Sequence, residues 1–186
     1  MDHRLQHEAG PPLPRAPNPA AIALKGRERL RAWQLTHVSS FSENSRKRTG
    51  IITVMVRRRE SGNAAHQLCD PELSDDENRR LFGKCVDLHG HNYVLEVVVA
   101  GESDPATGYV MDLKFLSDVM GRRVIRDVDH RNLNTDVSWL EGRIPTVENL
   151  VRTFWERLQP EPPAGPLRSV RVWETDKNWA EFDGRG

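Results

Sequence analysis

Two histidines placed two residues apart, directly ahead of a β-branched run, limit what this chain can fold into more than any other feature. His89-Gly90-His91-Asn92-Tyr93 leads into Val94-Leu95-Glu96-Val97-Val98-Val99, a strand by composition. In a strand, residues i and i+2 share a face, so His89 and His91 aim two imidazoles at one point. That geometry suits a metal that prefers nitrogen ligands, zinc above all. Gly90 between them lets the backbone or a ligand come close. Just upstream, Leu81-Phe82-Gly83-Lys84-Cys85 ends a helix and carries a cysteine four residues before His89.

The rest of the chain can supply what such a site needs. Ile51 to Arg59 reads as a first strand that Ala64-Ala65-His66 extends, which would bring His66 to the pair. Ser74 and Glu77 form a capping box for a short helix that stops near Gly83. Strand two runs from Leu88 to Ala100. Gly101 to Gly108 is a turn, and Tyr109-Val110-Met111 is expected as a third strand in a hairpin with the second. Asp112 caps a helix whose apolar stripe is Leu113, Leu116, Met120, Val124 and Val128. Asp129 to Asp136 is turn-like. Thr146 caps a second long helix with Val147, Leu150, Val151, Phe154, Trp155 and Leu158 inward, stopped by Pro160, Pro162 and Pro163. A last strand spans Leu167 to Thr175, and Trp179 to Phe182 is a short closing strand or turn. This order predicts an α+β fold, an antiparallel sheet covered by two main helices.

Length and composition narrow the class. The 186 residues fit one ordinary domain, 51–186, plus an extension, 1–50. The extension is proline-rich, then basic from Lys25 to Arg31, with a short amphipathic helix at most around Arg27 to Leu35. It has no core-forming pattern and is expected to be disordered. It reads either as a targeting or docking arm or, the reading favoured, as a dispensable segment with Met55 as the true start. The 27 acidic and 27 basic residues balance, which gives no electrostatic case for nucleic acid. No apolar run is long enough for a membrane span. Two cysteines, Cys69 and Cys85, fit a reduced, cytoplasmic setting rather than a disulfide scaffold. Cys69 is read as a small hydrophobe.

Several side chains carry candidate chemistry. His66, His89 and His91 form a three-imidazole set, the catalytic zinc pattern with one position left open. Cys85, near a divalent cation, can ionise readily and serve as ligand, nucleophile or general base. Asp129-His130 is either a proton relay or a turn with a capping aspartate. Glu174 continues the inward row of Val170 and Val172, so it must be paired, bind a guanidine-like edge, or reach water at the strand end. Glu148 can simply compensate a helix dipole.

Taken together, these pieces resemble the family of 6-pyruvoyl-tetrahydropterin and 6-carboxy-tetrahydropterin synthases. The matching stretches are Asn63-Ala64-Ala65-His66, Leu73-Ser74-Asp75 through Asn78, Leu81 to Cys85, His89 to Tyr93, Thr107 to Leu113, Asp129 to Asn134, Pro145 to Leu150 and Val172 to Thr175. They stand in family order from about residue 51 onward. The resemblance implies the tunnelling fold, with sheets joined into barrels, a homohexamer and active sites between subunits. By position it implies zinc on His66, His89 and His91. Cys85 would be the base, working with Asp129 and His130. Glu174 would anchor a pterin, and Thr146 and Glu148 would line its pocket. The implied substrate is 7,8-dihydroneopterin triphosphate, with Lys84, Arg131 or Lys177 as candidates for its phosphates.

The chain departs from the family where an aromatic residue usually precedes the Asn-Ala-Ala-His run, since Gly62 stands there. That predicts weaker packing near the metal or a less active relative. The three residues between Cys85 and His89 resemble the bacterial 6-carboxy enzymes of queuosine biosynthesis, which also release acetaldehyde. The expected product is therefore the carboxy-pterin, with the 6-pyruvoyl product of tetrahydrobiopterin synthesis as the alternative. A non-catalytic zinc- or pterin-binding relative is favoured by Gly62 alone.

Overall fold

The computed structural model describes residues 53–161 and 167–185. The expectations for residues 1–50, for Ile51 and for Pro162 and Pro163 lie outside them. One five-stranded sheet organises the described residues. Strand β1 is Val54–His66, β2 His89–Gly101, β3 Arg131–Asn132, β4 Leu167–Trp173 and β5 Trp179–Phe182, in the spatial order β3-β1-β2-β4-β5. All pairings are antiparallel except the short β1–β3 ladder.

Helix α1 is Asp75–Phe82, with the expected capping box at Ser74 and Glu77. Helix α2, Leu113–Met120, starts where the Asp112 carboxylate accepts the Lys114 and Phe115 amides. It continues through a π turn, Gly121–Ile125, into the single turn α3, Arg126–Val128. Helix α4 is Val147–Leu158, capped by Thr146. Its inward stripe of Leu150, Val151, Phe154 and Leu158 is buried.

The core lies between one sheet face and these helices. Leu95, Val97, Val99, Val170 and Val172 alternate inward along β2 and β4 and meet Leu116, Met120, Val124, Leu150 and Phe154. Period-2 and period-3.6 patterns thus meet in a single apolar layer. On the opposite face Arg59 Nε bonds the buried Glu96 carboxylate at 2.8 Å, and Arg171 bonds Glu181 at 2.7 Å.

Two elements differ from expectation. Tyr109-Val110-Met111 forms no strand. The Asp104 amide donates to the Tyr109 carbonyl at 2.9 Å and the Tyr109 amide to Thr107 Oγ1 at 3.2 Å, so the loop uses its own hydrogen-bonding groups. Tyr109 is 64% exposed. The turn-like segment after α3 instead contributes β3 to the edge beside β1. Strand β1, by contrast, runs on to His66 as expected, because all of it pairs with β2.

Candidate metal centre and proton relay

The antiparallel register brings the third histidine to the first two. His66 lies opposite His89, and Ala64 opposite His91. The alternation of the pleat then puts all three imidazoles on the inward face at one end of the sheet. One nitrogen from each lies within 4.8 Å of the other two. Ring centroids are 4.6 Å apart for His66–His89 and 5.0 Å for His89–His91.

Backbone carbonyls decide which nitrogen each ring offers. His66 Nδ1 donates to the Pro145 carbonyl at 2.8 Å, and His89 Nδ1 to the Asp87 carbonyl at 2.7 Å. A carbonyl only accepts, so both Nδ1 atoms carry a hydrogen, and in a neutral ring held this way the lone pair is on Nε2. Tyr93 Oη sits 3.2 Å from the same His66 Nδ1. Its phenol is pushed further from ionisation by burial, then by the Glu174 charge.

Among the described residues no lysine or arginine pairs with Glu174 on the Nε2 side of the site. His66 is 1% exposed, and its Nε2 is buried with no hydrogen-bond partner. Glu174 places a carboxylate oxygen 3.4 Å from it and 3.7 Å from His91 Nε2. Burial lowers the pKa of His66 and of His91, against the pull of Glu174, and so keeps the rings neutral. A lone pair on His66 therefore faces a carboxylate with no proton between them. Such an arrangement fits a cation that takes imidazole ligands. Carbonyl-oriented imidazoles are also the usual second layer of a metal site.

A second cluster lies where β3 meets β1. Asp129 Oδ1 accepts the Asn63 amide at 2.8 Å and lies 3.0 Å from His130 Nδ1. The His130 amide in turn donates to the Asn63 carbonyl. One strand residue thus clamps both members of the pair through its main chain. His130 adopts φ 58°, left-handed backbone that a residue with a side chain seldom takes. The Asn63 N–H foremost, then His130, hold the Asp129 carboxyl below its ordinary pKa. With Nδ1–H on the carboxylate, His130 Nε2 is left with the lone pair of a base. His130 and Arg131 share an open groove of about 440 Å³ with His91 and Asn92.

The other expected residues are placed less tightly. Cys85 is half-buried in a 3₁₀ turn, Gly83–Val86, and its carbonyl accepts the Leu68 amide at 2.7 Å, two residues beyond His66. Its thiol is not a member of the three-histidine cluster. Thr146 Oγ1 accepts the Asn149 amide at 3.3 Å as helix cap. Glu148 is exposed in the first turn of α4, which suits the dipole reading. Lys84, Arg131 and Lys177 are exposed, and of these Arg131 lines the groove. Glu174 stands one residue past β4, not within it.

Sequence reasoning missed the supports. No composition signal marks the carbonyls of Pro145 and Asp87. Nor does one mark Asn134, whose amide bonds both the nitrogen and the carbonyl of Gln67, each at 2.9 Å, next to His66.

The sequence pattern of 6-pyruvoyl tetrahydropterin synthase matches residues 55–185. The chain belongs to that family. It is 44% identical over 131 residues to the human 6-pyruvoyl tetrahydrobiopterin synthase, covering 69% of this chain and 90% of that one. It is 37% identical over 132 residues to the Dictyostelium discoideum protein of the same name, covering 71% of this chain and 97% of that one. The structure of Caenorhabditis elegans 6-pyruvoyl tetrahydropterin synthase superposes with a TM-score of 0.67 at 39% identity, covering 73% of this chain and 98% of that one. The fold is thus the expected tunnelling fold. Metal binding is usual in the family, and the three-histidine cluster is where this chain offers it. Among the described residues no helix is long and apolar enough to cross a membrane.

Proposed function

We propose that this chain is a zinc-dependent 6-pyruvoyl-tetrahydropterin synthase, a lyase that eliminates triphosphate from 7,8-dihydroneopterin triphosphate. The observation that carries the reading is the convergence of three imidazoles, two of them holding Nδ1 against backbone carbonyls, beside a Glu174 carboxylate that among the described residues pairs with no lysine or arginine. His66, His89 and His91 would hold the ion. Their all-nitrogen donor set favours zinc. When bound, zinc supplies Lewis acidity toward the hydroxyls of the substrate side chain.

The chain's own groups handle the protons. His130 Nε2 accepts or returns a proton, while Asp129 holds the ring by Nδ1 and stabilises its cationic form. Cys85 is the second proton carrier. Glu174 binds the pterin, with Thr146 and Glu148 at its edge. Arg131, in the groove beside His130, meets the phosphates. Among the described residues the strands at the two sheet edges, β3 and β5, each leave one side unpaired for joining copies into a hexamer.

The product assignment differs from the one expected from Cys85–His89 spacing. Relatives at 37% and 44% identity, matched over 97% and 90% of their lengths, are named for the 6-pyruvoyl product. Overall similarity of that extent weighs more than one loop length. The spacing keeps the 6-carboxy product as the second reading. Turnover of 7,8-dihydroneopterin triphosphate, followed by mass spectrometry, tests both. A pyruvoyl-pterin supports the proposal, and a carboxy-pterin with acetaldehyde moves the chain to the second reading. No conversion by zinc-loaded protein refutes both. Loss of turnover in Cys85→Ala with zinc retained would separate an enzyme from a binding relative.

A further inference from the structure

Glu174 sits where a fourth metal ligand belongs. Its carboxylate oxygen is 3.4 Å from His66 Nε2 and 3.7 Å from His91 Nε2. Donor atoms of a tetrahedral zinc site, with bonds of about 2.0–2.1 Å, stand about 3.4 Å apart. The His66 Nδ1 hydrogen is committed to the Pro145 carbonyl, so no proton of a neutral ring lies between Nε2 and the carboxylate. Two acceptors facing each other at that distance, one of them fully buried, call for a shared cation.

The surroundings of Glu174 agree. Among the described residues its only ion-pair partners are His66 and His91, and no lysine or arginine pairs with it. Its main chain is fixed, because the Glu174 and Thr175 amides both donate to the Asn178 carbonyl. The side chain itself is 19% exposed at the mouth of the site, and so can rotate outward without moving the strand.

Resting on the metal reading above, we propose that Glu174 is the fourth ligand of the metal-loaded protein without substrate, and that entering substrate displaces it. One carboxylate then serves two states. It closes the metal to water while the site waits, and it turns to the pterin once the substrate's oxygens take the vacated position. The open coordination position that catalysis needs arises only with substrate present. The metal–carboxylate bond breaks as a metal–oxygen bond to the substrate forms, and the released carboxylate keeps its charge as it turns to the pterin.

Cobalt(II) reports this directly. The full chain, Glu174→Gln and Glu174→Ala are loaded with cobalt in the absence of substrate. Affinity is measured by competition with a chromogenic chelator, and visible absorption reads the coordination. The expected result is a fall in cobalt affinity of about tenfold or more in Glu174→Ala, with altered absorption in both variants. Infrared difference spectra of the wild type should show a carboxylate band that shifts on metal loading and shifts back on adding 7,8-dihydroneopterin triphosphate. Unchanged affinity and absorption in both variants, with the wild-type band unmoved, would overturn the proposal while leaving the histidine site standing. Failure of the wild type to take up cobalt would overturn both together.

Discussion

Replacing Tyr93 by Phe separates the two groups that could fix the His66 tautomer. Tyr93 Oη and the Pro145 carbonyl both approach His66 Nδ1, at 3.2 Å and 2.8 Å. The carbonyl is nearer and can only accept, so it alone suffices to keep the hydrogen on Nδ1. The ring of Tyr93 is buried and stays in place as Phe, so no cavity opens. What is lost is the weaker part of a shared hydrogen bond, at most about 1 kcal/mol. For a domain of this size that is a fall of about 3–5 °C in Tm. The same energy, if it all reached the metal, is a factor of about five in affinity. Tyr93→Phe should therefore bind zinc within about tenfold of the wild type, measured by chelator competition, with circular dichroism for Tm. A loss beyond about 100-fold would refute the reasoning, because it would mean that the phenol and not the carbonyl sets which nitrogen faces the ion.

Further expectations follow from the same coordinates. Asp129→Asn keeps an acceptor for the Asn63 amide but removes the charge opposite His130, so turnover should fall about 10²–10⁴-fold with metal content unchanged. Leu150→Ala, at a position with 0% exposure between α4 and the sheet, should cost about 2–5 kcal/mol in chemical denaturation. Gly184→Ala should destabilise by about 2–4 kcal/mol and perturb tryptophan fluorescence, since Gly184 has φ 77° and an added Cβ would lie 2.4 Å from the Trp155 ring. Burial opposes ionisation of Glu60, yet hydrogen bonds from Ser117 and Arg58 outweigh it and hold the carboxyl below its ordinary pKa. Ionised Glu60 therefore stabilises the fold above the unfolded carboxylate pKa, and that contribution is lost as pH falls through the folded value. Glu60→Gln should be about 1 kcal/mol less stable at pH 7, and the gap should close as pH falls below the ordinary carboxylate range, read by urea melts across that range.

Local chemistry was the part of this fold that the sequence made plain. Capping at Ser74, Asp112 and Thr146, the inward stripe of α4 and the pairing of His89 with His91 each depend on residues within a few positions of one another. Their geometry is decided by one helix or one strand. The errors fell where a distant partner decides. Tyr109 to Met111 has strand composition but finds no free edge on β2, its expected partner, because β1 and β4 pair with the two sides of that strand. Arg131-Asn132 has turn composition but lies beside β1 and becomes a strand. The π turn at Gly121–Ile125 left no mark in the spacing of Met120, Val124 and Val128, which stay buried through it. In the site, side-chain donors were legible, while the backbone carbonyls that orient them were not, since every residue has one.

Gly62 shows why that distinction matters for activity. A missing ring was expected to loosen packing near the metal. The core instead closes over the position, leaving a void of about 10 Å³ lined by Ala64, Tyr93, Leu95, Phe154 and other apolar groups. That is at the lower limit for one water and has no polar partners to hold it, so it stays dry. What the bare glycine does permit is contact from the other cluster. A Cβ there would lie 3.3 Å from Asp129 Oδ1, the atom that accepts the neighbouring Asn63 amide. The departure at residue 62 thus touches the proton relay more closely than the metal ligands. Any effect of Gly62 on rate should then originate in how Asp129 and His130 are held. Metal content is blind to that difference, and the pH dependence of turnover is the quantity that senses it.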